Sequence, residues 1–237
     1  MIDIHSHILY GIDDGAKTLE DSIEILCQMQ SLGYTDIILT PHYIKDTQYA
    51  SPVSENVSRL EILKKTARKE NIDINLYLGN EIYMDDEILS LLKSRELKTL
   101  GNSKFLLIEL PMSGIYSNYQ EIFEYLIANG YEVILAHPER YISFANNIDK
   151  ARELTSSGVK LQCNVESIIG SYGKNAKKMV KKLLKAGLVT YLASDIHRPK
   201  RDLSKIEHAY KKIVKIVGKD KFEELTSKNA IEILEDI

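Results

Sequence analysis

The segment Asp3-Ile4-His5-Ser6-His7 places two imidazoles two residues apart, on one face of an extended chain. That spacing suits two ligands to one metal ion. The chain has six histidines, and five of them (His5, His7, His42, His137 and His197) follow short apolar runs. The sixth, His208, lies in a charged, helical stretch. One histidine at a strand end is more often structural than ligating. Five in equivalent positions, joined by Asp14, Glu81, Glu109 and Asp195, point to a metal site. Imidazole and carboxylate without thiolate favour manganese, iron or zinc over a structural zinc site. Nine candidate ligands leave room for two or three divalent ions. Glu81 would bridge ions about 3.5–4 Å apart, a separation suited to phosphoryl transfer. Such a cluster lowers the pKa of a bound water and offsets charge on the phosphoryl group.

The arginines narrow the substrate. Arg140 lies in His137-Pro138-Glu139-Arg140-Tyr141, and Arg198 and Arg201 follow His197. A guanidinium matches phosphate oxygens bidentately, so Arg140 and at least one of the pair are candidate phosphate ligands. Covalent catalysis lacks a candidate. Neither Cys27 nor Cys163 has an arginine six positions on, G-x-S-x-G is absent, and no phosphate loop ends in Gly-Lys-Ser/Thr. Metal-activated water remains.

These residues need a scaffold that gathers positions 5 to 197. Seven short apolar runs recur at Ile2–His5, Asp36–Thr40, Ile74–Leu78, Phe105–Glu109, Val133–Ala136, Lys160–Cys163 and Val189–Ala193. Helical periodicity marks Leu19–Leu32, Val57–Lys69, Tyr119–Asn129, Asp149–Ser156 and Lys177–Ala186. Gly33, Gly130, Gly158 and Gly187 close four of these segments, as helix C-caps do. Alternation of this kind means parallel βα units, either in a barrel or in an open sheet. The candidate ligands decide between them: each follows a strand, and a barrel brings all C-terminal strand ends to one mouth. The expected fold is therefore an α/β, distorted TIM-like barrel with the metal site at that mouth, in one domain spanning 1–237.

With 44% hydrophobic and 27% charged residues the composition is ordinary for a globular chain. A net charge of −3 offers no general attraction to nucleic acid or anionic membrane. No leader-like or membrane-spanning run is visible, and two cysteines do not make a disulfide framework, so the cytoplasm is the expected compartment. Lys174, Lys177, Lys178, Lys181, Lys182 and Lys185 read as a solvated helix face. Tyr10, Tyr43, Tyr83, Tyr116 and Tyr141 fall near the expected mouth, where a ring could stack on an aromatic ester.

The set resembles the polymerase-and-histidinol-phosphatase (PHP) superfamily: H-x-H, Asp14-Gly15, Thr40-Pro41-His42, Glu81, Glu109, His137-Pro138-Glu139-Arg140 and Ser194-Asp195-x-His197. Within it, the strings DIHSHIL, DDGA, TPHY, NEIY, IEL, AHPERY and ASDIH resemble the bacterial manganese-dependent tyrosine phosphatases of capsule and exopolysaccharide gene clusters. The resemblance runs from Met1 to about Ile237. It implies a (β/α)7 barrel, a trinuclear and usually manganese-supported site, and hydrolysis of phosphotyrosine on a partner tyrosine autokinase controlling polysaccharide synthesis. It carries the metal-ligand role to His5, His7, Asp14, His42, Glu81, Glu109, His137, Asp195 and His197. Asp14 is chosen over Asp13 because it directly precedes the glycine. Arg140 carries over as a phosphate binder and Arg201 as the second, with Arg198 as its alternative. Asn80 stands where relatives often have a small residue.

The expected reaction is in-line attack of a metal-bound hydroxide on a phosphomonoester. A phenolate leaving group, of pKa ~10, lets metal assistance stand in for a dedicated acid. Three rivals share parts of the signal: a histidinol-phosphatase, a polymerase-associated exonuclease, and a metal-stabilised scaffold without activity.

Overall fold

The computed structural model describes residues 1–113, 116–145, 147–200 and 202–236. The first half holds β1 (Ile2–Asp3), α1 (Leu19–Ser31), β2 (Asp36–Leu39), β3 (His42–Tyr43), α2 (Val53–Lys69), β4 (Asn75–Leu78), β5 (Glu81–Tyr83), α3 (Ile88–Lys93) and β6 (Phe105–Glu109). Then follow α4 (Tyr119–Ala128), β7 (Glu132–Ala136), α5 (Ile148–Ser156), β8 (Lys160–Asn164), α6 (Gly173–Lys185) and β9 (Tyr191–Ala193). The chain ends with α7 (Ser204–Val217), α8 (Lys219–Glu223) and α9 (Asn229–Glu235).

All ladders are parallel. One sheet runs β1-β2-β4 and the other β3-β5-β6-β7-β8-β9. These are seven strand positions, because two of the predicted strands continue, after a break, into a second short strand beyond their expected ends. Thr40 and Pro41 separate β2 from β3, and Gly79 and Asn80 separate β4 from β5. Proline has no N–H for the ladder. The Pro41 carbonyl instead accepts from the Glu81 backbone N–H at 3.2 Å and from the Asn80 amide at 3.1 Å. Asn80 Oδ1 also accepts from the Lys98 N–H. Asn80 thus brackets the break beside Glu81 through backbone partners. A bridge between Ser6 and Ile196 joins the ends of β1 and β9. There Asp195 N–H donates to the His5 carbonyl, and His7 N–H to the Ile196 carbonyl, each at 2.9 Å. The ring of strands that the sequence implies is thereby carried around the barrel.

Ile2, Ile4, Ile38, Phe105, Leu107, Ile134, Ala136, Tyr191 and Ala193 form one buried cluster, closed by Ala230 and Ile233 of α9. Alternate strand residues therefore fill the interior, as the two-residue period requires. The intervening residues pack outward against the helices. The interior is solid, so chemistry is confined to the strand ends. The capping glycines adopt positive φ, for example 88° at Gly33 and 96° at Gly158. Helices α3 and α7–α9 lie outside the sequence-derived set. No described helix is long and apolar enough to cross a membrane.

Candidate metal centre

The nine candidate ligands come from all around the ring. His5 and His7 follow β1, Asp14 lies in the loop before α1, His42 opens β3 and Glu81 opens β5. Glu109 ends β6, His137 follows β7, and Asp195 and His197 follow β9. Their ligating atoms assemble into four overlapping groups, within each of which all atoms lie within 4.8 Å of one another. These are His7, Asp14, His42 and His197; His5, His7 and Glu81; His5, His137 and Asp195; and His42, Glu81 and Glu109.

At the centre, His5 Nε2 and His7 Nε2 are 3.2 Å apart. Each lies 3.2 Å from Glu81 Oε2 and 3.4 Å from Asp195 Oδ1. Atoms at such separations can share one cation, whose nitrogen and oxygen ligands stand about 2.0–2.2 Å from a zinc-sized ion. The opposite face of each ring is anchored. His5 Nδ1 donates to Gln162 Oε1 at 2.9 Å, His7 Nδ1 to Asp13 Oδ2 at 2.7 Å, and His197 Nδ1 to the Asp195 carbonyl at 2.9 Å. Donating through Nδ1 leaves Nε2 as the inward lone pair, the usual arrangement around metal-ligating histidines. Among the described residues, Glu81 Oε2, His42 Nδ1, His137 Nδ1 and Glu139 Oε2 are buried without a hydrogen-bond partner. A buried polar atom without a partner is costly, and His42 Nδ1 and Glu81 Oε2 lie only 3.0 Å apart. Divalent cations fit this donor set.

The buried groups perturb one another strongly. Burial works to discharge His5, but Glu81 and Asp195 hold its pKa up to about 9. His7 is likewise raised against burial, chiefly by Asp13. Burial pushes Glu109 up to about 8, with help from the neighbouring Glu81 charge. Glu81 and Asp195 stay well below the usual carboxylate range despite burial, because histidines surround them. His137 is lowered by burial.

Backbone geometry serves the cluster too. His137 (φ 33°) and Asp195 (φ 52°) adopt the left-handed region, uncommon away from glycine and asparagine and frequent at functional sites. Gly15 leaves no room for a side chain: a Cβ there would sit 2.1 Å from the His7 carbonyl oxygen.

The residue that sequence reasoning passed over is Asp13. It is buried, and it also accepts from the backbone N–H groups of His42 (3.0 Å) and Gly15 (2.9 Å). Asp14 is exposed, its Oδ1 3.4 Å from His197 Nε2 and 3.5 Å from His42 Nε2. The doubled aspartate was the available signal: one member faces the cluster and the other orients a ring.

Arg140 reaches the site. Its Nη1 donates to Asp195 Oδ2 at 2.8 Å, and its guanidinium lies 4.5 Å from the Tyr172 ring centre. Arg198 is exposed, and Arg201 lies outside the described residues. The loop between them is clamped at Lys200, which exchanges two backbone hydrogen bonds with the Gln28 side chain and pairs with Glu166 at 2.5 Å. Two tyrosines considered for stacking belong to the core instead. Tyr141 is buried, donating to the Ala136 carbonyl and accepting from Leu110 N–H, and Tyr43 is buried in the same apolar cluster. Tyr116 donates to Asp86, and Tyr10 lies under Arg59.

Residues 1–235 match the family described as "Capsular polysaccharide synthesis, CpsB/CapC". The tyrosine-protein phosphatase CpsB of Streptococcus agalactiae is 31% identical, covering 100% of this chain and 99% of its own. A structure reported for YwqE from Bacillus subtilis and CpsB from Streptococcus pneumoniae, described as unique metal-dependent tyrosine phosphatases, superposes with a TM-score of 0.91. It shares 31% identity and covers 100% of this chain and 95% of that one. The histidinol phosphate phosphatase of Lactococcus lactis, complexed with zinc, L-histidinol and phosphate, shares the fold at TM-score 0.60 and 16% identity, covering 92% of this chain and 95% of its own.

Proposed function

The chain belongs to the CpsB/CapC family of capsular polysaccharide synthesis, and on that premise we infer that it is a metal-dependent tyrosine phosphatase, a hydrolase of phosphoric monoesters. The observation that carries the metal dependence is the 3.2 Å approach of two histidine Nε2 atoms whose Nδ1 protons are engaged elsewhere. Two or three ions, manganese by the resemblance of the motifs, would be held by His5, His7, Asp14, His42, Glu81, Glu109, His137, Asp195 and His197. Such ions lower the pKa of a bound water and offset charge on the transferring phosphoryl group.

The chain's own residues do the rest. Asp13 and Gln162 fix the His7 and His5 rings, so that no reorientation accompanies turnover. Arg140, held by Asp195 and Tyr172, offers its planar guanidinium to the phosphate oxygens. Arg201 is the proposed second phosphate ligand on sequence grounds alone, with Arg198 as the alternative. A phenolate leaves without a dedicated acid. The partner we assign is a phosphotyrosine-bearing protein, a bacterial tyrosine kinase of polysaccharide synthesis, met in the cytoplasm.

Likeness to the histidinol phosphate phosphatase extends to the fold alone and does not favour that substrate. Rates on a phosphotyrosyl peptide and on histidinol phosphate separate the two. Faster turnover of the peptide supports the tyrosine phosphatase; preference for histidinol phosphate overturns it.

A further inference from the structure

Gln162 and Asn164 occupy alternate, inward positions of β8, where other strands place aliphatic or aromatic residues. Both are completely buried. Buried amides cost ~1–3 kcal/mol for each group left unpaired, so their presence calls for partners. Each amide oxygen and nitrogen has at least one. The His5 ring donates from Nδ1 to Gln162 Oε1 at 2.9 Å, and Gln162 Nε2 donates to Asn164 Oδ1 at 2.9 Å. Asn164 Nδ2 donates in turn to Asp195 Oδ2 at 2.6 Å.

The direction of this chain is fixed from both ends. A carboxylate only accepts, so the Asn164 atom facing Asp195 is its nitrogen, and its oxygen must face Gln162. Gln162 then turns its nitrogen toward Asn164 and its oxygen toward His5. At the other end, that same oxygen accepts from the backbone N–H of His137 at 3.4 Å, which again requires an oxygen there. Asn164 is itself pinned, its N–H donating to the buried Glu139 carboxylate at 2.8 Å.

We propose that Gln162 and Asn164 form an amide relay that sets the proton of His5 on Nδ1 and turns His5 Nε2 and Asp195 Oδ1 toward one metal position. Asp195 is divided by the same relay. Its Oδ2 is occupied by Asn164 and by Arg140 at 2.8 Å, while Oδ1 faces the two histidines at 3.4 Å. The two amides are positioning residues, and the proposal rests on the metal-site reading above.

The test uses zinc, which is diamagnetic, on the full-length protein. Wild-type zinc uptake is measured first, by competition with a chromophoric chelator. Long-range ¹⁵N correlation spectra of the zinc-loaded protein should then show His5 protonated at Nδ1 and ligating through Nε2. Gln162→Leu should weaken zinc binding by ~10–100-fold, as loss of a partner behind a ligand typically does. Gln162→Glu, which keeps the acceptor toward His5, should fall between Gln162→Leu and wild type. Gln162→Leu with Asn164→Leu should lose no more than the worse single variant, because both break one chain. Ligation of zinc through His5 Nδ1 would overturn the relay, and so would unchanged affinity in Gln162→Leu or losses that multiply in the double variant. The spectrum needs no variant, so it decides the matter even where Gln162→Leu does not fold. A wild-type protein that takes up no zinc removes the metal site itself and the relay with it; normal uptake with an indifferent Gln162→Leu removes the relay alone.

Discussion

His5 and His7 meet nitrogen to nitrogen, 3.2 Å apart, each ring having given its other nitrogen to a buried acceptor. The two histidines would supply half of a coordination shell. Glu81 and Asp195 would supply the other half, Asp195 from the neighbouring segment whose N–H donates to the His5 carbonyl.

Glu81 contacts more of the cluster than any single neighbour does, touching His5, His7, His42 and His137 at 2.8–3.2 Å. Glu81→Ala or His5→Ala should reduce hydrolysis of p-nitrophenyl phosphate by at least ~100-fold, since metal assistance is worth several kcal/mol. Circular dichroism should stay that of the wild type. Substantial activity in either variant would remove the cluster from the mechanism.

Asp13 touches His7 but stands outside the four ligand groups. Asp13→Asn keeps its shape and loses the charge behind the His7 ring. Metal affinity should fall by ~10–100-fold, read as bound metal after dialysis at fixed free concentration. Wild-type retention would make Asp13 a turn residue only.

Much of this site was legible in the sequence, for a physical reason. Parallel βα units put the strand ends at one mouth, so residue type and position at a strand end gathered eight of the nine candidates, and Asp14 came from the family strings. Asp13 was harder, because adjacent aspartates in a loop do not reveal which one points inward. Gln162 carried no signal: an amide in a strand looks like ordinary polar alternation until its partners appear. The breaks at Thr40-Pro41 and Gly79-Asn80 were also hidden, although Pro41 marked one of them. They depend on ladder bonds between β3 and β5, which single-strand patterning does not contain. Of the five tyrosines near the mouth, Tyr141 and Tyr43 went to the core.

Proton and metal compete for the same atoms. With His5 at about 9 and Glu109 at about 8, the metal-free protein binds protons that ligation must expel. Metal affinity should therefore rise between pH 6 and pH 9, with proton release measurable by calorimetry in buffers of different ionisation heat. The metal-free protein should behave oppositely. Both groups hold protons more tightly when folded, so their contribution to stability is present below pH 4.5 for Glu109 and 6.5 for His5. It is lost as pH rises through 8 and 9 respectively. Melting temperature without metal should fall from pH 6 to 9; a rise would contradict these assignments.

Arg140 is braced by Asp195 and Tyr172 before any substrate arrives. A charge-assisted hydrogen bond is worth ~1.5–3 kcal/mol, so Arg140→Ala should cost roughly ten- to a hundredfold in kcat/KM. Arg140→Lys should recover only part of it, lacking the planar fork. Full recovery by lysine would mean that charge alone is used.

The most direct measurement is turnover of a phosphotyrosyl peptide by chelator-stripped protein, before and after manganese is restored, with phosphoserine peptide and histidinol phosphate as controls. The expected result is no turnover when stripped, recovery with manganese, and preference for phosphotyrosine over both controls. Full activity in the stripped protein, or equal rates on all three substrates, would contradict a metal-dependent tyrosine phosphatase.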